Sequence, residues 1–269
     1  MIIKVMMTTF LTGATSGLGA RLALDLATRR HRLVLHGRDE SRLAEISERA
    51  RAAGGTVTTV LADISDPVQV AQLCDRICAQ HTPLDLIINN AAAGGGREPS
   101  KRETNVHGTE LRMACNVLAP HLITRRLASA MAPGGRVVQV GSLGLAPLDV
   151  DDLEFTREYD GLNAYCRSKL ALIMDAMEFA ANGTWVNVVH PADRMPTTMV
   201  RDSGFVPATT VDDGALPVLR VALDTELVDT TGRYFHRFDL RDPHPQAQDE
   251  SVRAGLRSWI EQTLAASLG

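Results

Sequence analysis

The stretch Thr12-Gly13-Ala14-Thr15-Ser16-Gly17-Leu18-Gly19 decides the fold. A short β-branched and aliphatic run, 8–12, leads into it, and an amphipathic stretch, 18–30, leads out. A strand that passes through glycines directly into a helix can bring backbone N–H groups up to a phosphate. Glycine permits the tight turn, and the helix N-terminus carries partial positive charge. The spacing is Gly-x3-Gly-x-Gly rather than the G-x-G-x-x-G of ordinary dinucleotide folds. By itself such a turn would also suit a purely structural role. The strand before it and the helix after it favour the phosphate.

Outward from this turn the same alternation continues. Strands are expected at 8–12, 33–36, 56–61, 84–88, 136–140, 185–190 and 234–236. Between them lie helical patterns at 18–30, 41–53, 68–80, 109–131, 164–181 and 211–223, and a last helix at 250–266. The strand runs are apolar throughout, as expected for strands buried on both faces of a helix-covered parallel sheet. Strand–helix alternation of this kind predicts an α/β, Rossmann-type doubly wound domain of about seven parallel strands. Nothing divides the chain, so 1–269 reads as a single domain. Two long connections interrupt the alternation, the acidic 145–162 and the Pro/Thr-rich 191–210. Loops this long in a compact domain usually serve as lids or binding loops. Their apolar members Leu145, Leu148, Leu153, Phe155, Met195, Met199 and Phe205 are expected to wall a substrate mouth, with the acids facing water.

Composition removes several classes. The chain has 269 residues, is 45% hydrophobic and 22% charged, and has a formal net charge of −4, which excludes a disordered chain and disfavours a nucleic-acid surface. No apolar run reaches the ~18 residues of a membrane helix, so no membrane anchor is expected. The start, Met1-Ile2-Ile3-Lys4-Val5-Met6-Met7, lacks full signal-peptide anatomy and is expected to run into the first strand. Cys74, Cys78, Cys115 and Cys166 have no zinc-knuckle spacing and read as free thiols of a reducing, cytoplasmic compartment. The histidines are dispersed. His190, at a strand end, reads as a packed or hydrogen-bonded imidazole, and no metal is expected.

The second strand ends in His36-Gly37-Arg38-Asp39. An NAD-preferring site would place an acid at this tip, whereas the Arg38 guanidinium can hold a 2′-phosphate. The alternative is a solvated arginine at a helix start. Tyr165 and Lys169, in Tyr165-Cys166-Arg167-Ser168-Lys169, stand four apart on one helical face. A neutral phenol there can exchange a proton with a carbonyl or alcohol oxygen, and a nearby ammonium would lower its pKa. Gly141-Ser142-Leu143-Gly144 lacks the Gly-x-Ser-x-Gly of a hydrolase elbow.

With Ser142 after the fifth strand, Asn116 in the 109–131 helix and Asn89-Asn90-Ala91-Ala92 after the fourth, the chain resembles the classical short-chain dehydrogenase/reductase family over essentially its whole length. Within that family it is most similar to the retinol-dehydrogenase-like branch. The features carrying this are Ala164-Tyr165-Cys166-Arg167-Ser168-Lys169-Leu170-Ala171, the long Ser-to-Tyr connection and Gly232-Arg233-Tyr234-Phe235. The resemblance implies that Ser142 hydrogen-bonds the substrate oxygen, Tyr165 is the general acid, and Lys169 binds the nicotinamide ribose. It implies that Asn116 anchors a water leading to Lys169. It implies a pyrophosphate cradle of Gly13, Ser16, Gly17, Leu18 and Gly19, with Thr15 beside it. Asp63 and Ile64 would contact the adenine, Asn90 and Ala91 the adjacent ribose, and Pro191 and Thr197 the nicotinamide end. Ala92 and Ala192 stand where the family has glycine, and Thr197 answers better than Thr198 to the family's threonine.

The expectation is therefore an NADP(H)-dependent ketoreductase or carbonyl reductase of bacterial-type secondary metabolism, acting on a small carbonyl or alcohol and leaving a homo-oligomer open. The alternatives are an alcohol dehydrogenase of retinol or steroid type, an NADP(H)-sensing protein without turnover, and a sugar-nucleotide epimerase of the extended family type. The short segment after Pro191 leaves little room for the substrate domain of the last.

Overall fold

The computed structural model describes residues 6–81 and 83–269, so the expected entry from residues 1–5 lies outside the described residues. One eight-stranded sheet runs in the order β3-β2-β1-β4-β5-β6-β7-β8. Its strands are β1 (Thr8–Leu11), β2 (Arg32–Gly37), β3 (Thr56–Leu61), β4 (Leu84–Asn89), β5 (Met131–Val140), β6 (Val186–His190), β7 (Tyr234–His236) and β8 (Asp239–Arg241). The first seven are parallel, and β8 turns back antiparallel on β7. β8 carries no apolar signature; its three residues are all exposed, which is why the periodicity gives no sign of it.

The helices are α1 (Gly17–Thr28), α2 (Glu40–Ala52), α3 (Pro67–Gln80), α4 (Leu111–Met113), α5 (Ala119–Leu127), α6 (Gly161–Ala181), α7 (Thr198–Asp202), α8 (Val211–Leu223) and α9 (Glu250–Leu268). They cover both faces of the sheet. Phe10, Val34, Ile87 and Val137 enter the core shared with α3, α5, α6 and α9. Their neighbours Leu11, Leu33, Leu35, Leu86, Ile88 and Val138 enter the core shared with α1, α2 and α8. Successive side chains point to opposite faces, so the inner strands β1, β2, β4, β5 and β6 bury apolar side chains at successive positions and feed two cores. Trp259 of α9 packs against the first core.

The expected helix over 109–131 is not one helix. It divides into α4, a π-helical turn at Ala114–Leu118 and α5, and β5 begins at Met131 rather than at 136. The turn is widened where Asn116, fully buried, projects into the site. The connection 145–162 also departs from expectation. Leu148, Leu153 and Phe155 are buried in the main core instead of walling a mouth. Nor do all its acids face water. Asp152 is buried and accepts from Thr156 N (2.8 Å), Thr156 Oγ1 (2.9 Å) and Arg157 N (3.1 Å). Glu154 accepts from Glu110 N (2.8 Å) and Arg102 Nη2 (2.9 Å). Backbone groups in a loop need partners as much as those in helices do, and these carboxylates supply them.

Candidate active site

Every expected site residue lies at or beyond the carboxyl ends of the parallel strands, where ligands bind in open α/β sheets. The glycine turn is built by exclusion. Gly13 and Gly17 hold φ of +66° and +51°, and a Cβ on Gly19 would stand 2.0 Å from the Gly13 carbonyl oxygen. Ser16 precedes α1 without capping it, and no acid stands in the first turn, so the first N–H groups of α1 stay available. Leu18 is buried beneath the turn. Thr15 packs over Gly37, where a Cβ would meet its methyl at 2.5 Å. These features fit a dinucleotide phosphate.

Two residues brace the turn. Asn90 donates to the Thr12 (2.9 Å) and Gly13 (3.2 Å) carbonyls, while Thr12 Oγ1 accepts from Asn90 N (2.9 Å) and Ala91 N (3.0 Å). The Asn90 side chain is thus committed to the turn rather than to a ribose. His36, which the sequence reading passes over, accepts from Gly13 N (3.2 Å) through Nδ1 and meets the Ala62 carbonyl (3.0 Å) through Nε2. Burial holds its pKa down to about 4, so the ring is neutral, with Nε2–H donating and Nδ1 free to accept.

At the tip of β2, Asp39 caps α2 by accepting from Arg42 N (3.0 Å). Arg38 beside it is exposed, and no hydrogen bond or ion pair holds its guanidinium among the described residues. Asp63 accepts from Ser65 N (2.9 Å), and the half-buried Ile64 packs on the core beside it. On the opposite wall Pro191 is buried after β6, and Thr197 caps α7. The Thr197 methyl lies 2.9 Å from where a Gly17 Cβ would be, so this segment closes across the glycine turn.

Ser142, Tyr165, Lys169 and Asn116 converge beyond β5. α6 starts where Asp160 accepts from Asn163 N (2.7 Å) and Gly161 N reaches the Pro99 carbonyl (2.7 Å). That docking sets the phase of Tyr165 and Lys169. Ser142 stands beside the Tyr165 phenol and acts to lower its pKa, and Ser142 Oγ accepts from Gly144 N (3.1 Å). Lys169 is buried, donates to the Val140 carbonyl (2.8 Å) and places Nζ 5.8 Å from the Tyr165 ring centre. Burial lowers its pKa to about 8. The expected lowering of the Tyr165 pKa by Lys169 is not found. Burial raises it, only partly offset by Ser142, and Lys169 loses its own charge before a phenol would titrate.

Asn116 accepts from Ala93 N (2.8 Å) and donates to Ala93 O (2.9 Å) and Ser168 Oγ (2.8 Å). Both amide N–H groups are thereby used, so a water leading to Lys169 would have no N–H to accept from there. Ser168 passes this bracing on by donating to the Tyr165 carbonyl (2.7 Å). Tyr234, noted in the sequence only within Gly232-Arg233-Tyr234-Phe235, donates its hydroxyl to the Ser142 carbonyl (2.9 Å) and fixes the backbone that carries Ser142. No local pattern announces that contact, since β7 joins Ser142 only through the sheet.

Fewer of the expected apolar residues are left for the substrate side. Met195 packs against Gly214 and Leu18 in the second core. Met199 instead lies over Gly94, and Leu143, Leu162 and Phe205 stay exposed around the opening.

A family model described as short chain dehydrogenase matches residues 7–204. A Streptomyces sp. (strain C5) protein provisionally named daunorubicin C-13 ketoreductase is 33% identical over 278 residues, covering 97% of this chain and 92% of the relative. Human retinol dehydrogenase 13 is 29% identical over 288 residues, covering 97% and 85%. Among solved structures, a blue fluorescent protein from a metagenomic library in complex with NADPH superposes with a TM-score of 0.68 at 26% identity, covering 86% of this chain and 97% of that one.

Proposed function

The chain belongs to the short chain dehydrogenase family of oxidoreductases, and from that premise we propose that it is an NADPH-dependent ketoreductase or carbonyl reductase. The observation that carries this is the half-buried Tyr165 phenol, set beside Ser142 beyond the carboxyl end of β5, held protonated by desolvation and with Lys169 Nζ 5.8 Å from its ring centre. NADPH supplies a hydride to the carbonyl carbon when bound. Ser142 donates a hydrogen bond to the substrate oxygen, and Tyr165 gives its hydroxyl proton to that oxygen as negative charge develops on it. Lys169, anchored on the Val140 carbonyl, would hold the nicotinamide ribose. Gly13, Ser16, Gly17, Leu18 and Gly19 hold the pyrophosphate with the free N–H groups of α1. Arg38 holds the 2′-phosphate, in line with the NADPH-bound similar structure. Asp63 and Ile64 flank the adenine, Ala91 and the Asn90 main chain the adjacent ribose, and Pro191 and Thr197 the nicotinamide end.

The ketone preference and a place in bacterial-type secondary metabolism draw support from the Streptomyces relative. Oxidation of a retinol-type alcohol is the second reading, favoured by the human relative's name. We read 1–269 as one domain, working in the cytoplasm in keeping with its free thiols, and among the described residues no helix is long and apolar enough to cross a membrane. The test is loss of reduced-nicotinamide absorbance with a panel of linear and polycyclic ketones, for the natural chain and Tyr165→Phe. Tyr165→Phe is expected to lower kcat by ~10²–10⁴-fold while NADPH affinity is kept. Retention of more than about a tenth of kcat would remove Tyr165 from the role. NADPH binding with no turnover on any carbonyl or alcohol would favour a sensing protein.

A further inference from the structure

At the carboxyl ends of β6 and β7, two histidines far apart in sequence are brought side by side. His190 ends β6 and His236 ends β7, and the parallel register pairs them directly. Their rings lie parallel, 5.1 Å apart at an interplanar angle of 10°. His190 is 5% exposed. His236 Nε2 is buried and makes no hydrogen bond, and the equally buried His190 Nε2 faces only the Asp193 carboxylate. A desolvated ring nitrogen without a partner is costly, and a ligand that accepts its lone pair relieves the cost.

Asp193 completes the group. It lies three residues past His190, where the chain leaves β6 for the connection 191–210, and its Oδ1 is 3.3 Å from His190 Nε2. One ligand atom from each of the three residues falls within 4.8 Å of the others. Tetrahedral coordination with bonds of ~2.0–2.2 Å sets its ligands ~3.3–3.5 Å apart. The His190–Asp193 edge already has that length, and neither edge to the His236 ligand atom exceeds 4.8 Å.

We propose that His190, Asp193 and His236 form a binding site for a divalent transition ion of the zinc class, completed by water. Two imidazoles and one carboxylate are a donor set that zinc and its neighbours accept. The nearby Arg237 guanidinium opposes a cation at His190, and the Asp193 carboxylate offsets it. A bound ion would tie the root of the connection 191–210 to β7. That connection carries Thr197 and Met199, so the ion would hold one wall of the cleft.

Metal-stripped protein titrated calorimetrically with zinc sulfate, and followed by visible absorption with cobalt(II), tests the site. One equivalent of zinc is expected. The cobalt spectrum should lack thiolate charge transfer, which separates the site from Cys74 and Cys78. Asp193→Asn, at an exposed position that the fold does not depend on, and His236→Gln are each expected to weaken binding at least ~10-fold. The melting temperature should rise with zinc in the natural chain and not in the variants. No stoichiometric binding by the natural chain, undiminished binding in either variant, or a thiolate signature overturns the assignment.

Discussion

Arg38 owes its availability to its neighbour. Asp39 is held at the start of α2 by accepting from Arg42 N and Ser41 Oγ through Oδ1, an N-cap worth ~1 kcal/mol of helix stability. With Asp39 engaged, the free group at the tip of β2 is a cation, and a cation selects a phosphate over a hydroxyl. Arg38→Ala is expected to raise KM for NADPH by ~10- to 100-fold, the equivalent of about 1.5–3 kcal/mol for a hydrogen bond to a charged group. KM for NADH should hardly change. Steady-state kinetics with both cofactors check this, and equal effects would reduce Arg38 to a structural residue. The pair Tyr165 and Lys169 follows a similar logic of environment. Burial acts on both in the direction of the neutral form, raising the phenol and lowering the ammonium.

Among the elements, the two long connections divide the labour differently from what their apolar content suggests. The connection 145–162 is largely a plug. Leu148, Leu153 and Phe155 fill the main core, and Phe155 reaches it from a left-handed backbone (φ +51°) with the Arg167 guanidinium 5.6 Å over its ring. The connection 191–210 faces the opening, with Met199 over Gly94 and Phe205 40% exposed. Leu148→Ala should therefore cost ~2–5 kcal/mol of stability and leave the ratio of kcat/KM for a small and a large ketone unchanged. Met199→Ala and Phe205→Ala should shift that ratio with little loss of stability. Urea unfolding and paired substrate kinetics separate the two outcomes. A constant ratio in both loop variants would show that 191–210 does not select the substrate.

At the scale of the molecule, the site's outer wall hangs on one buried cation. Arg112, 1% exposed, donates to the Gly94 carbonyl (2.7 Å), Tyr159 Oη (2.8 Å), Glu103 (2.8 Å) and the fully buried Glu110 (3.3 Å). Tyr159 in turn donates to Glu110 (2.8 Å). The network joins the segment after β4, the start of α4 and the end of the plug, so it fixes the approach to Tyr165 from three parts of the chain. Arg112→Met would leave Glu110 charged, buried and without its cation, at ~3–5 kcal/mol. Glu103→Gln, on the half-exposed side of the same network, should cost under about 1 kcal/mol. Chemical denaturation of both variants measures the difference, and equal small losses would show that Arg112 is not the keystone of this wall.

The sequence alone was enough for most of the alternation of strands and helices and for the glycine turn. Both rest on local chemistry, since a strand buried on two faces is largely apolar and a turn that admits a phosphate needs glycine. Ser142, Tyr165 and Lys169 were legible only together with the family resemblance, since a tyrosine and a lysine four apart are by themselves a common surface pattern. What the tertiary structure decided was the identity of each neighbour. Leucine and phenylalanine bury equally well in a core or a pocket wall, so only packing could assign Leu148 and Phe155 to the one and Phe205 to the other. The break at Asn116 comes from hydrogen bonds to Ala93 and Ser168, partners in other elements. Tyr234 meets Ser142, and His190 meets His236, because strand order and register place them together. Those are properties of the closed sheet, which no short stretch of chain contains.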